Sequence, residues 1–208
     1  LYELDTAGSQ TLHRFEIIFL IFDLESKNSS FCTQIKSFQM ADSRLLILDK
    51  KQIQQKINRM AYQLLEDNLT EKEIVLAGIW DRGYQLALRL RAVLLEISDL
   101  KVTMLKIELE KDNSRLAATT DIEPAKVKNK VIVLVDDVLN SGKTLAYGFG
   151  VFLNTPHKKI RTVVLVDRSH KIYPVATDFV GLQMATVLKE HVDVILDVDG
   201  QEDAVYLS

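Results

Sequence analysis

The sequence predicts an α/β protein built on a mainly parallel, twisted sheet with helices on both faces, and three observations carry that expectation. Short apolar runs recur at Ile74 to Trp80, Val102 to Leu109 and Val131 to Val135, each followed by a polar stretch. After the first and third of these stretches the apolar residues recur at helical spacing, so strand, loop and helix alternate along the chain. Ile74 to Trp80 and Val131 to Val135 are also continuous instead of strictly alternating apolar with polar, the pattern of strands buried on both faces. Ligands of such sheets sit beyond the carboxyl ends of the strands.

Taken in order, residues 1–39 differ in character from the rest of the chain and are expected to be an appendage, either a packed arm or translated upstream sequence. They hold the single cysteine, Cys32, and the apolar run Phe15 to Phe22, which would cover a hydrophobic surface or meet another subunit if ordered. A domain over residues 40–208 is expected to begin at Met40. Asp49 can cap a helix with Gln52 at its third position, and Ile53, Ile57, Met60, Ala61, Leu64 and Leu65 then fall on one face until Asn68. Ile74 to Trp80 reads as a strand, Asp81-Arg82-Gly83 as a loop, and Leu86, Ala87, Leu90, Leu94 and Ile97 as the buried stripe of a second helix. Val102 to Leu109 and Val131 to Val135 are further strands, the latter running into a loop and a helix that starts near Lys143. Thr162 to Val166 and Val192 to Leu196 are expected to complete the buried strands.

Composition narrows the function classes. With 208 residues, 47% hydrophobic and 26% charged, the chain has material for one core, or one core and a small flap. The net charge of −3 announces no global basic field for nucleic acid. A lone cysteine without zinc-spaced partners fits an inert thiol in a reducing, cytoplasmic setting. The apolar run Ile17 to Phe22 falls far short of the ~20 residues that span a bilayer. Acids at Glu3, Asp5 and Glu16 stand where a signal peptide carries positive charge, so the expectation is a soluble protein that is not exported.

The informative segment is Val131-Ile132-Val133-Leu134-Val135-Asp136-Asp137-Val138-Leu139-Asn140-Ser141-Gly142-Lys143-Thr144. An apolar strand delivers two adjacent carboxylates to its end, where vicinal hydroxyls of a sugar are suitable donors to offset their desolvation. A turn of small polar residues comes next at a helix N-terminus, where free backbone N–H groups and the helix dipole favour a phosphate dianion. Gly142 permits close backbone approach, and Ser141 and Thr144 add hydroxyl donors. The plain alternative for Asn-Ser-Gly alone is an Asx turn with an ordinary capped helix.

This segment resembles the phosphoribosyl pyrophosphate (PRPP) motif of the type I phosphoribosyltransferases. From Met40 onward the chain resembles the bifunctional pyrimidine-operon attenuator and uracil phosphoribosyltransferase family, PyrR. Besides the motif, the likeness is carried by Leu46-Ile47-Leu48-Asp49, Gly78-Ile79 with Arg82-Gly83, and Val164-Leu165-Val166-Asp167-Arg168 with His170. Asp178-Phe179-Val180-Gly181 and Glu202-Asp203-Ala204-Val205-Tyr206 complete it.

The resemblance implies the type I phosphoribosyltransferase fold with a small flap or hood, Mg²⁺ as cofactor, and PRPP with a free nucleobase as substrates. It also implies a homo-oligomer. Asp136 and Asp137 would hold the ribose hydroxyls, directly or through water and Mg²⁺. Asn140, Ser141, Gly142, Lys143 and Thr144 would bind the substrate: the 5′-phosphate is cradled mainly by backbone N–H groups with Ser141 and Thr144, and not by the side chain at 140, which would select the base. The loop Trp80-Asp81-Arg82-Gly83 would wrap the pyrophosphate, in the family often through a non-proline cis peptide, with Arg82 as the charged contact. Trp80 and Asp81 replace the family's usual basic-threonine start, and an acid there weakens pyrophosphate binding unless Mg²⁺ intervenes. Asp178, Phe179 and Val180 would shape the base pocket, or else form a short core strand, and Arg168 and His170 would approach the same pocket. The polar segment Glu110 to Lys130, with Lys111, Asp112, Asn113 and Arg115, lies where these enzymes carry a mobile flap, although the family's tyrosine-arginine pair is absent. A solvated hairpin is the alternative there.

The 6-oxopurine enzymes place an aspartate where Asn140 stands and a lysine where Asp167 stands, so uracil is favoured over purines. RNA binding, as in the attenuators, is not favoured. Setting aside the three basic and five acidic residues of the appendage leaves 23 basic against 24 acidic. Lys126, Lys128 and Lys130, like His157-Lys158-Lys159, read as solvated loop faces. A nucleotide-binding homologue without catalysis stays open as a third class.

Overall fold

The computed structural model describes residues 44–111, 116–169, 171–186 and 190–208, with backbone alone at 110, 111, 116 and 117. The expectations for the appendage, its Cys32 and its apolar run, and those for His170, Asp112, Asn113 and Arg115, lie outside the described residues.

Strand β1 (Leu45–Leu48) precedes helix α1 (Lys50–Asp67). The start of α1 is set by local chemistry: Asp49 accepts the Gln52 amide at 2.7 Å while the Gln52 side chain accepts the Asp49 amide at 2.9 Å, a reciprocal capping box. Strand β2 (Glu73–Ile79) runs without a loop into α2 (Trp80–Ile97). Strands β3 (Lys101–Lys111) and β4 (Leu116–Thr120) form a hairpin, and a single 3₁₀ turn at Pro124–Val127 leads to β5 (Val131–Leu139). Helix α3 (Lys143–Phe152), β6 (Lys159–Asp167), β7 (Phe179–Gln183), β8 (Val192–Ile195) and β9 (Ala204–Leu207) complete the order.

Six strands form the main sheet in the order β4-β3-β2-β5-β6-β7, parallel except for the antiparallel β3–β4 pair. Alternate residues of each central strand feed two cores. Leu76, Val133 and Leu165 pack with Ile53, Ile57, Leu64, Leu86, Leu90 and Leu94 of α1 and α2. Ala77, Ile132, Leu134 and Val164 pack with Leu145 and Phe152 of α3 on the other face. Burying one large side chain of this kind stabilises by about 1.5–3 kcal/mol. The architecture is the expected one, and two strands differ in detail. Val192–Ile195 is no member of the parallel sheet: it pairs antiparallel with β9, which pairs antiparallel with β1, making a separate three-stranded hood. Strand β5 continues past Val135 to Leu139, because its in-register pairing with β6 persists to Leu139 opposite Asp167.

Candidate functional site

The carboxyl edge of the parallel sheet gathers Ile79, the acids of β5, and the first turns of α2 and α3. Gly83, in the first turn of α2, permits this convergence. A Cβ there would lie 2.6 Å from the Val135 carbonyl oxygen and 3.1 Å from Asp136 Cα, so only glycine lets α2 lie against β5 at the point where the two acids emerge.

Asp136 is 6% exposed and accepts the Asp137 amide at 3.0 Å. Burial, reinforced by the charge of Asp137, pushes its carboxyl well above the usual carboxylate range. Asp137 is half-buried and faces Arg82 Nη1 at 3.8 Å, while the same nitrogen lies 2.8 Å from Asp193 Oδ1 on β8. Ile79, Trp80, Asp81, Arg82, Asp136 and Asp137 line an open depression of about 390 Å³.

The expected pyrophosphate loop is the opening turn of α2 instead. It contains no cis peptide bond, and Trp80 adopts φ 51°. Two contacts tie this turn to β3: Trp80 Nε1 donates to the Leu109 carbonyl at 3.2 Å, and Asp81 pairs with Lys106 at 2.8 Å. Hydrogen bonds to Asp81 and Glu108 raise the Lys106 ammonium above its ordinary value. The acid that would have opposed a pyrophosphate is thereby matched by a cation.

The turn after β5 also has a local logic. Gly142 caps α3 at φ 82°, a left-handed conformation that glycine adopts without steric penalty. The first-turn N–H groups of α3 have no carbonyl within the helix to bond. Ser141 Oγ accepts the Lys143 amide at 3.3 Å, which leaves its own proton free to donate. The Ile172 and Tyr173 amides both donate to the Ser141 carbonyl, at 2.9 and 3.0 Å, so the segment after β6 braces the turn. Lys143 is exposed, Thr144 is half-buried, and Asn140 is exposed.

The remaining residues singled out from the sequence sit differently. Asp178 is at the amino end of β7, away from the acid pair. Its carboxylate accepts the Thr162 amide at 2.8 Å and hydroxyl at 2.9 Å, and a group so engaged at that end of the sheet cannot line a pocket at the carboxyl edge. Phe179 packs on one core and Val180 on the other, so the short-strand reading describes them. Arg168 is 3% exposed, and its guanidinium donates to the Thr186 hydroxyl at 3.1 Å, to the Glu190 carbonyl and to Asn140 Oδ1 at 3.3 Å. Asp167 is 2% exposed and accepts from the Ser169 amide, the Thr177 hydroxyl and Lys171 Nζ. Asp193 escaped the sequence reading. Its signal was an acid alternating with buried Val192 and Val194, the period-two mark of a strand with one polar face.

The comparisons with known proteins converge on this architecture. The model of the phosphoribosyl transferase domain matches residues 44–199. The chain belongs to the phosphoribosyltransferase domain family. Within it the chain is of the type I, PyrR kind. It is 34% identical over 171 residues to the bifunctional protein PyrR of Fusobacterium nucleatum, covering 78% of this chain and 97% of that one. It is 36% identical over 168 residues to the PyrR of Clostridium novyi, covering 77% and 94%. Among solved structures, a hypoxanthine-guanine phosphoribosyltransferase from Bacillus anthracis superposes with a TM-score of 0.63 at 20% identity, covering 78% of this chain and 96% of that one. The hypoxanthine phosphoribosyltransferase of Trypanosoma cruzi gives 0.62 at 19%, covering 77% and 94%. At such identities the two structures establish the fold.

Proposed function

We propose that this member of the family transfers ribose 5-phosphate from PRPP to a free pyrimidine base, with uracil preferred. The observation that carries the reading is the arrangement along one short stretch: Asp136 and Asp137 at the edge of β5, then a Gly142-capped helix N-terminus, with Arg82 opposite. The α3 N-terminus binds the 5′-phosphate through backbone N–H groups, Ser141 and Thr144. Asp137, and Asp136 behind it, accept the ribose hydroxyls. Arg82 reaches the pyrophosphate from the first turn of α2.

Among the described residues no cluster of three or more His, Cys, Asp or Glu would hold a metal by protein atoms alone. Two hard oxygen donors beside an open depression nevertheless fit Mg²⁺, which commonly takes one or two carboxylates and completes its shell with water and substrate phosphates. When bound there, Mg²⁺ would neutralise charge on the departing pyrophosphate. In the transfer, the ring nitrogen gives up its proton to solvent and bonds to C1′ as the C1′–O bond breaks, and the bonding pair leaves with pyrophosphate. The chain's own contribution is to fix phosphate and ribose and to stabilise developing charge, with no covalent intermediate.

PRPP with Mg²⁺ is expected to raise the melting temperature, and Asp137→Ala or Thr144→Ala to abolish that rise, since a ligand that binds only the native state stabilises it. The base is decided by pyrophosphate release across uracil, hypoxanthine and guanine, with uracil fastest. No thermal shift at millimolar PRPP refutes the proposal, and faster release with hypoxanthine refutes the choice of base. The named relatives are bifunctional, which supports RNA-linked regulation as a second reading. Uridine-nucleotide-dependent RNA retention with little turnover would favour it.

A further inference from the structure

We infer that Arg168 is a positioning residue for base selection, acting through Asn140 without touching the substrate. This rests on the PRPP site proposed above. A guanidinium has only donors, so the Asn140 atom 3.3 Å from Arg168 Nη1 must be the carbonyl oxygen. The amide NH₂ then points the other way, and Asn140 is exposed at the turn that opens the phosphate cradle. An asparagine free to flip offers a ligand either a donor or an acceptor. Here the choice is fixed from inside the protein.

What fixes it is rigid. Arg168 is 3% exposed, donates through Nε to Thr186 Oγ1 at 3.1 Å, and donates through Nη2 to the Glu190 carbonyl. Its own amide donates to the Leu139 carbonyl at 3.0 Å, one residue before Asn140. Backbone and side chain of residue 168 therefore hold the end of β5 and the residue next along the chain. On the proposed reading the base meets the turn at position 140, and the consequence for specificity is chemical: the fixed amide offers it N–H. Uracil carries an acceptor carbonyl beside the ring nitrogen that reacts, and this oxygen gains electron density as N1 loses its proton. A base presenting N–H toward position 140 meets donor against donor and leaves both unpaired, the arrangement that discriminates most strongly in a desolvated site.

The test is a double-substitution cycle on the full chain with Asn140→Ala, Arg168→Met and the pair. It is read as kcat/KM for uracil, KM for PRPP, and the thermal shifts given by PRPP and by uridine monophosphate. Each single change is expected to lower kcat/KM for uracil about tenfold, the scale of one lost hydrogen bond to a polarised group, with PRPP binding unchanged. Because Arg168 acts through Asn140, the pair falls no further than Asn140→Ala alone, whereas independent roles would multiply to about a hundredfold. Arg168→Lys, which keeps a donor in reach, recovers part of the loss.

If Arg168→Met does not fold, Thr186→Val removes the hydroxyl that receives Nε and is combined with Asn140→Ala in the same cycle. The uridine monophosphate shift runs the cycle even for a chain that turns over slowly. Multiplying effects overturn the inference, as does an Arg168→Met loss matched by an equal loss of the PRPP shift. A PRPP shift without any uridine monophosphate shift also overturns it. Absence of any PRPP shift in the unaltered chain refutes the site reading itself, so the two failures are distinguishable.

Discussion

Replacing Asp136 by asparagine is expected to make the free protein more stable and the site worse. Asp136 is 6% exposed, and burial, with the neighbouring Asp137 charge second, holds its carboxyl well above the ordinary 3.8. Below 3.8 the group is protonated in both folded and unfolded chains and contributes nothing to the pH dependence. Between 3.8 and its raised folded value, the unfolded chain ionises while the folded chain keeps the proton. Stability therefore falls as pH rises through that window, by about 1.4 kcal/mol per unit. Asparagine has nearly the same shape, accepts the same Asp137 amide, and cannot ionise. The melting temperature of Asp136→Asn minus that of the parent should start near zero at low pH. It should widen by roughly 3–6 °C per pH unit at the 2–4 °C per kcal/mol usual for chains of this size, then level off. Calorimetry from about pH 3.5 to 8 without ligand reads this directly, and the PRPP-induced shift should shrink in the variant. A difference constant across pH, or a parent more stable than Asp136→Asn near neutral pH, refutes the reasoning.

Gly83→Ala sets a methyl 2.6 Å from the Val135 carbonyl oxygen and should cost about 1–3 kcal/mol in denaturant unfolding together with PRPP binding; unchanged stability would contradict the close-packing argument. Ser169, at φ 60°, carries a left-handed backbone that a non-glycine residue adopts at about 1–2 kcal/mol, so Ser169→Gly should raise the melting temperature by a few degrees, checked by calorimetry. Lys106→Met leaves Asp81 unmatched beside the depression and should weaken PRPP binding in a thermal-shift titration, whereas the further change Asp81→Asn should restore it.

What was legible in the sequence was local. The Asp49–Gln52 capping box, the apolar stripe of α1 and the start of α3 after Gly142 depend on residues three or four apart, and each stands where expected. The acid pair was legible because an apolar run delivers it. What escaped depends on partners far along the chain. Strand β5 outlasts its apolar run because β6 pairs with it to Leu139. Val192–Ile195 looks like any buried strand until β9 is known to pair beside it. Asp178 seemed a pocket residue because nothing local reveals that Thr162 occupies its carboxylate. The resemblance brought Arg168 to the base pocket, and nothing local shows that it is buried. Its burial is sustained by Thr186, Glu190 and Asn140, which no periodicity places beside it.

The two ends of the parallel sheet match their charges differently, and that contrast supports the proposed site at the carboxyl edge without appeal to any relative. At the amino end, carboxylates have cations. Burial alone would raise Asp67, yet hydrogen bonds from Arg161 and Lys159 outweigh it and hold the group below its ordinary value. Glu73 is lowered by hydrogen bonds from Lys130 and Thr103. Such groups add stability that is present above the ordinary carboxylate value and lost as pH falls. At the carboxyl end the sign reverses: Asp136 is raised, and Arg82 is shared between Asp137 and Asp193. A fold selected for stability alone would not collect a buried acid and a shared cation at one edge. The proposed ligand, which carries hydroxyl donors and anionic groups with Mg²⁺, would relieve that charge mismatch on binding.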